Sequence, residues 1–176
     1  MRIIGGEFRG RTFFPGKTFK ARPTTDIAKE SLFNILTNRI DFEETSVLDL
    51  FAGTGSISFE FLSRGCKNVT LVEINFKHIQ FIKSVLSQLK TKAIVYRTDV
   101  FRYVKTEKRK FDIIFADPPY DHPQFNEIPK LILEQDILTN EGILIVEHPA
   151  NFNFETLKGY TETRKYGKVH FSFFGH

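Results

Sequence analysis

The sequence predicts a single α/β domain with a Rossmann-like, mostly parallel sheet. From about residue 46 to residue 147, short apolar segments of strand length alternate with segments whose apolar residues recur at helical spacing. Such alternation favours parallel strands joined by right-handed helical crossovers. The length of 176 residues fits one domain, and 41% hydrophobic residues, including 20 Phe, supply a core.

The first 22 residues differ from the rest of the chain in charge. They hold six Arg or Lys residues and a single acid, a net charge of +5, so the remainder is close to neutral. Residues 2–4 and 8–14 are predicted as two short strands around Gly5-Gly6. A basic segment of this kind fits a phosphate-bearing partner, and charge alone fits a solvated strand face equally well.

A helix is predicted after this segment. Pro23 disfavours helix at Arg22, and Thr24 or Thr25 can cap the helix that follows. Apolar residues at helical spacing then extend it to Asn38 or Arg39. They are Ile27, Ala28, Leu32, Ile35 and Leu36.

Five strands and four helices are predicted next. The predicted strands span 46–50, 69–73, 93–97, 111–116 and 142–147. The predicted helices run from Gly55 to about 64 and over 76–89, 100–105 and 125–134. Two further segments, 160–166 and 168–174, alternate with period two around Gly167, which predicts a C-terminal antiparallel hairpin.

The composition argues against a membrane protein and against a metal site. No apolar run approaches the ~20 residues of a membrane span. Cys66 is the only cysteine, and the five histidines lack metal-ligand spacing. We therefore expect a cytoplasmic monomer with no metal and no membrane partner.

A glycine-rich turn leaves the first predicted strand. The strand ends at Asp49-Leu50, and Gly53 and Gly55 follow in the sequence Asp-Leu-Phe-Ala-Gly-Thr-Gly. Ligands of open α/β sheets bind beyond the carboxyl ends of strands, and glycines let the backbone approach them. Glu73 lies 20 residues after Gly53, at the position of a ribose-binding carboxylate. Asp99 follows the third strand and is a candidate for an adenine amino group.

The turn favours S-adenosylmethionine over a dinucleotide. A third glycine is missing, because Ser58 stands where a pyrophosphate-binding turn has Gly or Ala. Asp49 would repel a pyrophosphate, whereas it can hold the amino group of a methionine-like ligand directly or through water.

A second motif, Asp117-Pro118-Pro119-Tyr120, follows the predicted strand 111–116. The Asp117 carboxylate and the Pro118 carbonyl can accept hydrogen bonds from an exocyclic amine, and Tyr120 can stack on a base. Such hydrogen bonds would turn the nitrogen lone pair towards an electrophile and stabilise developing positive charge. If this strand neighbours the first, a methyl donor and an amino acceptor share one cleft.

The chain resembles the RsmD family, bacterial methyltransferases of the 2-amino group of one guanine in small-subunit (16S) ribosomal RNA. The resemblance covers nearly the whole chain. The most specific string is Arg22-Pro23-Thr24-Thr25-Asp26 ahead of the glycine-rich turn. The other matching segments are Arg2–Gly6, Arg9–Arg11, Glu30–Leu36, Asp49–Gly55, Glu60, Leu62–Gly65, Glu73 and Asp117–Tyr120.

The resemblance implies a seven-stranded class I methyltransferase sheet over 23–176, with residues 1–22 as a basic β-hairpin extension. It implies action on 16S rRNA in an assembled or assembling 30S particle, with ribosomal protein contacts. The implied S-adenosylmethionine site is Asp49, Phe51, Ala52, Gly53, Thr54, Gly55, Glu73, Ile74, Asp99 and Val100. The implied guanine site is Asp117, Pro118, Pro119 and Tyr120. The implied RNA contacts are Arg9, Arg11, Lys17, Lys20, Arg22, Thr24 and Thr25.

Three alternatives remain at this stage. A DNA adenine amino-methyltransferase would use the same tetrad but usually needs a separate target-recognition region. An NAD-dependent oxidoreductase is disfavoured by Asp49 and Ser58. A non-catalytic RNA-binding or assembly factor would not need both motifs.

Overall fold

The computed structural model describes residues 1–16 and 25–175, and it contains a seven-stranded sheet flanked by helices. The strands are β1 (Ser46–Leu50), β2 (Asn68–Glu73), β3 (Ile94–Arg97), β4 (Phe111–Ala116), β5 (Leu138–His148), β6 (Tyr160–Tyr166) and β7 (Val169–Phe174). The helices are α1 (Asp26–Thr37), α2 (Ser56–Ser63), α3 (Phe76–Leu89), α4 (Val100–Thr106) and α5 (Ile128–Glu134), the last preceded by a 3₁₀ turn (Phe125–Glu127).

The strand order is β3-β2-β1-β4-β5-β7-β6, which confirms the predicted Rossmann-like sheet with a C-terminal hairpin. The first five strands in this order are parallel, and β7 is antiparallel to both β5 and β6. The order reverses between β1 and β4, so the loops that follow these two strands border the crevice where such sheets bind ligands.

Two hydrophobic layers cover the sheet. Helices α1, α2 and α3 pack on one face, against strand residues such as Val47, Ile113 and Phe115. Helices α4 and α5 pack on the other face, against Leu48 and Ile114. Because successive strand residues alternate between faces, the strand sequences had to be apolar throughout, as parallel strands buried on both sides are.

Strand β5 is longer than predicted. It begins at Leu138, and its register against β4 shifts between Phe111 and Ile113. Gly142 lies at this irregularity, where a Cβ atom would come within 3.0 Å of the Phe111 carbonyl oxygen. A glycine inside a strand often marks such a close approach of two backbones. Because glycine also interrupts the apolar pattern of a strand, the sequence predicted only the part of β5 from Gly142 onward.

The two N-terminal strands predicted at residues 2–4 and 8–14 are shorter in the structure. Residues 1–13 fold back on themselves, but their only ladder pair is a single bridge between Arg2 and Thr12. The backbone around Gly6 turns towards α2 instead, and the Glu7 amide donates to the Ser63 carbonyl at 2.6 Å. Gly6 has φ +74°, and a Cβ there would overlap that carbonyl, so this contact requires glycine.

A buried ionic cluster fixes this segment to the domain. The Lys29 ammonium donates to the Arg2 carbonyl at 2.5 Å and to Ser56 Oγ at 3.0 Å, and lies 3.3 Å from Glu60 Oε1. Glu60 also accepts from the Ile4 amide at 2.5 Å. Lys29 and Glu60 are fully buried, so their charges depend on one another and on these hydrogen bonds.

Among the described residues, no helix combines the length and the apolar character that crossing a membrane requires.

Candidate active site

Four carboxylates lie along one edge of the sheet. This edge is the one formed by the carboxyl ends of the adjacent parallel strands. Asp49 is in β1, Glu73 ends β2, Asp117 follows β4, and Glu147 is in β5. The register aligns Asp49 with Leu71 and Phe115, and Phe115 with Ile145. Since residues two apart share a face, all four acids point to the face covered by α1, α2 and α3.

The glycine-rich turn after β1 has an unusual backbone. Phe51, Gly53 and Gly55 all have positive φ, at 60°, 55° and 74°. A Cβ at Gly55 would come within 2.9 Å of the Phe59 ring, so this glycine is needed for packing against α2. Among the described residues, a Cβ at Gly53 would meet only the Phe51 carbonyl, at 3.8 Å. The part of the chain that the structure describes therefore leaves the turn open above Gly53, where a ligand can approach the backbone.

Glu73 braces this turn. Its Oε2 accepts from the Gly53 amide at 2.7 Å, and its Oε1 accepts from the Asn75 amide at 2.7 Å. His78 Nδ1 lies 3.2 Å from the same Oε2. A carboxylate has about four lone-pair positions, so these contacts leave acceptor capacity for ribose hydroxyls. Ribose binding by Glu73 stays a prediction, whereas its support of the turn is observed.

Asp49 is held inside the protein. Its Oδ2 accepts from Ser58 Oγ at 2.5 Å and from the Ser58 amide at 3.2 Å. Burial raises the pKa of Asp49 to about 7, the Ser58 hydrogen bonds oppose that rise, and the charge of Glu73 adds to it. The carboxylate thus ties β1 to α2 across the turn, and its contact with a ligand stays a prediction.

The remaining predicted cofactor residues flank the turn. Asp99 caps α4 by accepting from the Arg102 amide at 2.9 Å, a role that sequence reasoning did not assign. Val100 is buried beneath it, whereas Ile74 is 63% exposed directly after Glu73. An exposed branched side chain beside the turn offers an apolar surface to a flat ring.

The loop after β4 begins beside the glycine-rich turn. The Asp117 amide donates to the Leu50 carbonyl at 3.3 Å, which extends the β1–β4 pairing into the loop. This confirms the prediction that the two motifs leave neighbouring strands at the same edge. No described residue donates a hydrogen bond to the Asp117 carboxylate. Burial raises the pKa of Asp117 well above its usual range, and the charges of Glu147 and Asp49 add to the effect.

Tyr120 is tied to a residue that sequence reasoning missed. Its hydroxyl donates to Glu147 Oε1 at 3.3 Å, and its ring meets the Phe125 ring edge-on at 6.3 Å between centroids. Pro118 is buried and Pro119 exposed. The signal for Glu147 was present in the sequence, because an acid near the end of an apolar strand occupies the same position as Glu73.

His122 joins the two loops. Its ring stacks on Phe101 at 5.1 Å between centroids and meets Phe51 edge-on at 6.2 Å. The His122 amide also donates to the Pro119 carbonyl at 2.9 Å, which closes the turn after the tetrad. The tetrad loop therefore packs directly against the turn that follows β1.

The structure describes three of the seven residues that were predicted to contact RNA. Arg9 and Arg11 are exposed, and Thr25 caps α1 by accepting from the Ala28 amide at 3.2 Å. The residues Lys17, Lys20, Arg22 and Thr24 lie outside the described residues.

The described ranges contain no cluster of His, Cys, Asp or Glu suited to holding a metal ion. A cavity of about 460 Å³ lies at the opposite edge of the sheet, beside Arg39, Gly142 and Glu162, and none of the predicted site residues line it.

Comparison with known proteins identifies relatives along nearly the full chain. The family model described as "Conserved hypothetical protein 95" matches residues 1–175. "Putative rRNA methyltransferase YlbH" of Bacillus subtilis (strain 168) is 38% identical over 171 residues, covering 94% of this chain and 92% of that protein. "Ribosomal RNA small subunit methyltransferase D" of Escherichia coli (strain K12) is 32% identical over 158 residues, covering 89% and 79%. The solved structure "Putative methyltransferase yhhF from Escherichia coli" aligns with TM-score 0.86 and 29% identity, covering 99% of this chain and 96% of that one.

Proposed function

The chain belongs to the RsmD family, and on that premise we propose that it methylates the 2-amino group of one guanine in small-subunit ribosomal RNA. The coarser activity, S-adenosylmethionine-dependent methylation of ribosomal RNA, is the activity of the family. The proposal adds the guanine nitrogen, the residues that hold it, and the 30S particle as the substrate.

One observation carries the proposal: the glycine-rich turn and the Asp117 loop contact each other at the point where the strand order reverses. Asp117 pairs with the strand that ends in the turn, and His122 packs on Phe51. A ligand above Gly53 and a base beside Asp117 would therefore share one crevice. Direct transfer requires reacting atoms about 3–3.5 Å apart and in line, which two adjoining loops can provide.

The donor half fits S-adenosylmethionine. No described residue covers the backbone above Gly53, Glu73 retains acceptor capacity for ribose hydroxyls, and exposed Ile74 offers an apolar surface for adenine. Asp99, at the start of α4, would receive the adenine amino group beside Val100. When bound, this cofactor supplies a methyl carbon on a positively charged sulfur.

The acceptor half fits an exocyclic amine. The lone pair of that nitrogen is delocalised into the ring, so hydrogen bonds to the Asp117 carboxylate and the Pro118 carbonyl would turn it towards the methyl group. Their acceptor oxygens would also stabilise the positive charge that develops on the nitrogen. As the nitrogen–carbon bond forms, the carbon–sulfur bond would break and the sulfur would leave as a neutral thioether, while the nitrogen would give up one proton to the Asp117 carboxylate. Tyr120 would fix the plane of the base by stacking on it, and Pro119 restrains the loop between them.

The state of Asp117 supports this role. Burial and two neighbouring acids disfavour its charged form, and the described residues supply no hydrogen-bond donor to it. An amine that donates to this carboxylate would lower its pKa towards the ordinary range. Binding of the base would thereby supply the hydrogen bond that the described residues do not give to this carboxylate.

The N-terminal residues would contact the RNA outside the crevice. A base in folded RNA must leave its stack to enter, at a cost of about a few kcal/mol. Phosphate contacts from Arg9 and Arg11 can offset that cost, and we assign the same role to the predicted contacts outside the described residues. A ribosomal particle as substrate would place the protein in the cytoplasm.

The test is methylation by the purified protein of small subunits taken from a strain that lacks it. We expect label in 16S RNA of the particle, at the 2-amino group of one guanine identified by mass spectrometry of nuclease fragments. Naked 16S RNA and duplex DNA serve as parallel substrates. Label in DNA alone would favour the adenine alternative and overturn the proposal.

A further inference from the structure

Glu147 occupies an unfavourable place for a charged side chain. It is 2% exposed, lies near the end of β5, and continues the register that sets Ile145 opposite Phe115. That register places it beside Asp117 on the same face of the sheet. A buried carboxylate next to a second acid destabilises the folded state, so its presence there needs a reason other than stability.

The contact that distinguishes Glu147 is with the tetrad. Its Oε1 accepts the Tyr120 hydroxyl at 3.3 Å. Tyr120 sits at a turn, and two side-chain torsions set the orientation of its ring. The Phe125 ring meets one side of the ring, and the hydrogen bond to Glu147 fixes its far end.

We propose that Glu147 is a positioning residue, which holds the Tyr120 phenol so that the ring presents a fixed face to the guanine. The inference rests on the proposed function, because it concerns the same base. It assigns to β5 a part in the acceptor half that neither sequence motif contains. The two carboxylates then have separate tasks: Asp117 meets the amine, and Glu147 orients the ring beside it.

The test is a double-mutant cycle between Glu147→Leu and Tyr120→Phe, measured as kcat and KM on small-subunit particles. Leucine removes the acceptor and keeps most of the volume, and phenylalanine removes the hydroxyl and keeps the ring. We expect each single variant to lower kcat roughly 10-fold, because small displacements of reacting groups have effects of that size or larger. The double variant should be within about 2-fold of either single variant, since both remove the same hydrogen bond. The KM for S-adenosylmethionine should stay unchanged.

Two further variants separate positioning from simple structural support. Glu147→Gln retains a carbonyl acceptor for the hydroxyl and should recover most of the lost kcat. Val146→Ala removes a buried side chain from the same strand on the opposite face, so it should lower the melting temperature without lowering kcat.

Multiplicative losses in the double variant, or no rescue by glutamine, would overturn the inference while leaving the proposed function intact. Wild-type protein that labels no guanine in the particle would instead refute the proposed function and the inference together.

Discussion

The two halves of the crevice differ in how far their carboxylates are satisfied before any ligand arrives. On the donor side, Glu73 accepts two backbone amides and Asp49 accepts two groups of Ser58. On the acceptor side, the Asp117 carboxylate receives no hydrogen bond from the described residues, and its neighbours add negative charge. The described residues build the donor half, whereas under the proposed function the substrate would complete the acceptor half.

Because of this difference, substitutions of the donor-side acids and of Asp117 should have different effects. Donor-side acids hold the turn in shape, so their loss should weaken cofactor binding and alter stability. Asp117 contributes little to the turn, so its loss should affect the chemical step alone. Electrostatic groups aimed at developing charge act mainly on the transition state.

The largest effect is expected at Asp117. Asp117→Ala removes the acceptor for the amine, and methyl transfer should fall by about 10²–10³-fold, the range found when one preorganised group is lost. Cofactor affinity, measured by calorimetry, should be unchanged. Glu127→Ala is the matched control, because it removes an exposed acid from the 3₁₀ turn beyond the tetrad loop. Turnover at the wild-type rate in Asp117→Ala would contradict its role.

Glu73→Gln should have the next largest effect, and on binding rather than chemistry. The amide can accept from only one of the two backbone amides, which leaves the other without its charged acceptor at about 1–3 kcal/mol. We expect S-adenosylmethionine to bind roughly 10-fold more weakly, with kcat at saturating cofactor nearly unchanged. A loss confined to kcat would show that the donor half is not prebuilt.

The sequence predicted the fold and the placement of both motifs, because each signal is local. The glycine-rich turn and the tetrad each follow an apolar strand, and alternation of strands and helices fixes which edge they share. Two features depend on distant contacts and were not predicted. Lys29 and Glu60 are 31 positions apart, and Glu147 meets Tyr120 only through the strand order. No spacing rule connects such pairs.

Asp49 should make the free energy of unfolding depend on pH. Its pKa is about 7 in the folded protein, well above the 3.8 of an unperturbed aspartate side chain, so folding disfavours its charged form. The wild-type protein should therefore lose stability as pH rises from about 4 to about 7. Asp49→Asn cannot ionise, and it should be more stable than wild type by about 4 kcal/mol at pH 8, with the difference nearly gone near pH 4. Urea unfolding at both pH values measures this.

Asp112 provides a control of opposite sign. Burial raises the pKa of this acid, but hydrogen bonds from Ser46 and Thr139 outweigh burial and lower it overall. Asp112→Asn should therefore lose stability relative to wild type at neutral pH, and the loss should disappear as the pH falls below the usual carboxyl range. If both variants shift in the same direction, the contrast between the two carboxylates is wrong.

The smallest effect is expected outside the crevice, at Arg9 and Arg11. Both are exposed and neither contacts the donor turn, so Arg9→Ala/Arg11→Ala should leave cofactor affinity and kcat unchanged. Each lost phosphate contact should reduce the salt dependence of particle binding by about one unit in the log–log slope and raise KM several-fold at moderate salt.

Lys110→Ala is the matched control, because Lys110 is an exposed cation at the opposite edge of the sheet, next to the start of β4. If the Lys110 variant changes the slope as much as the arginine pair does, particle binding depends on overall positive charge and not on the N-terminal segment. If only the arginine pair changes it, the substrate is engaged in two places, by phosphates at the N-terminal segment and by one base at Asp117.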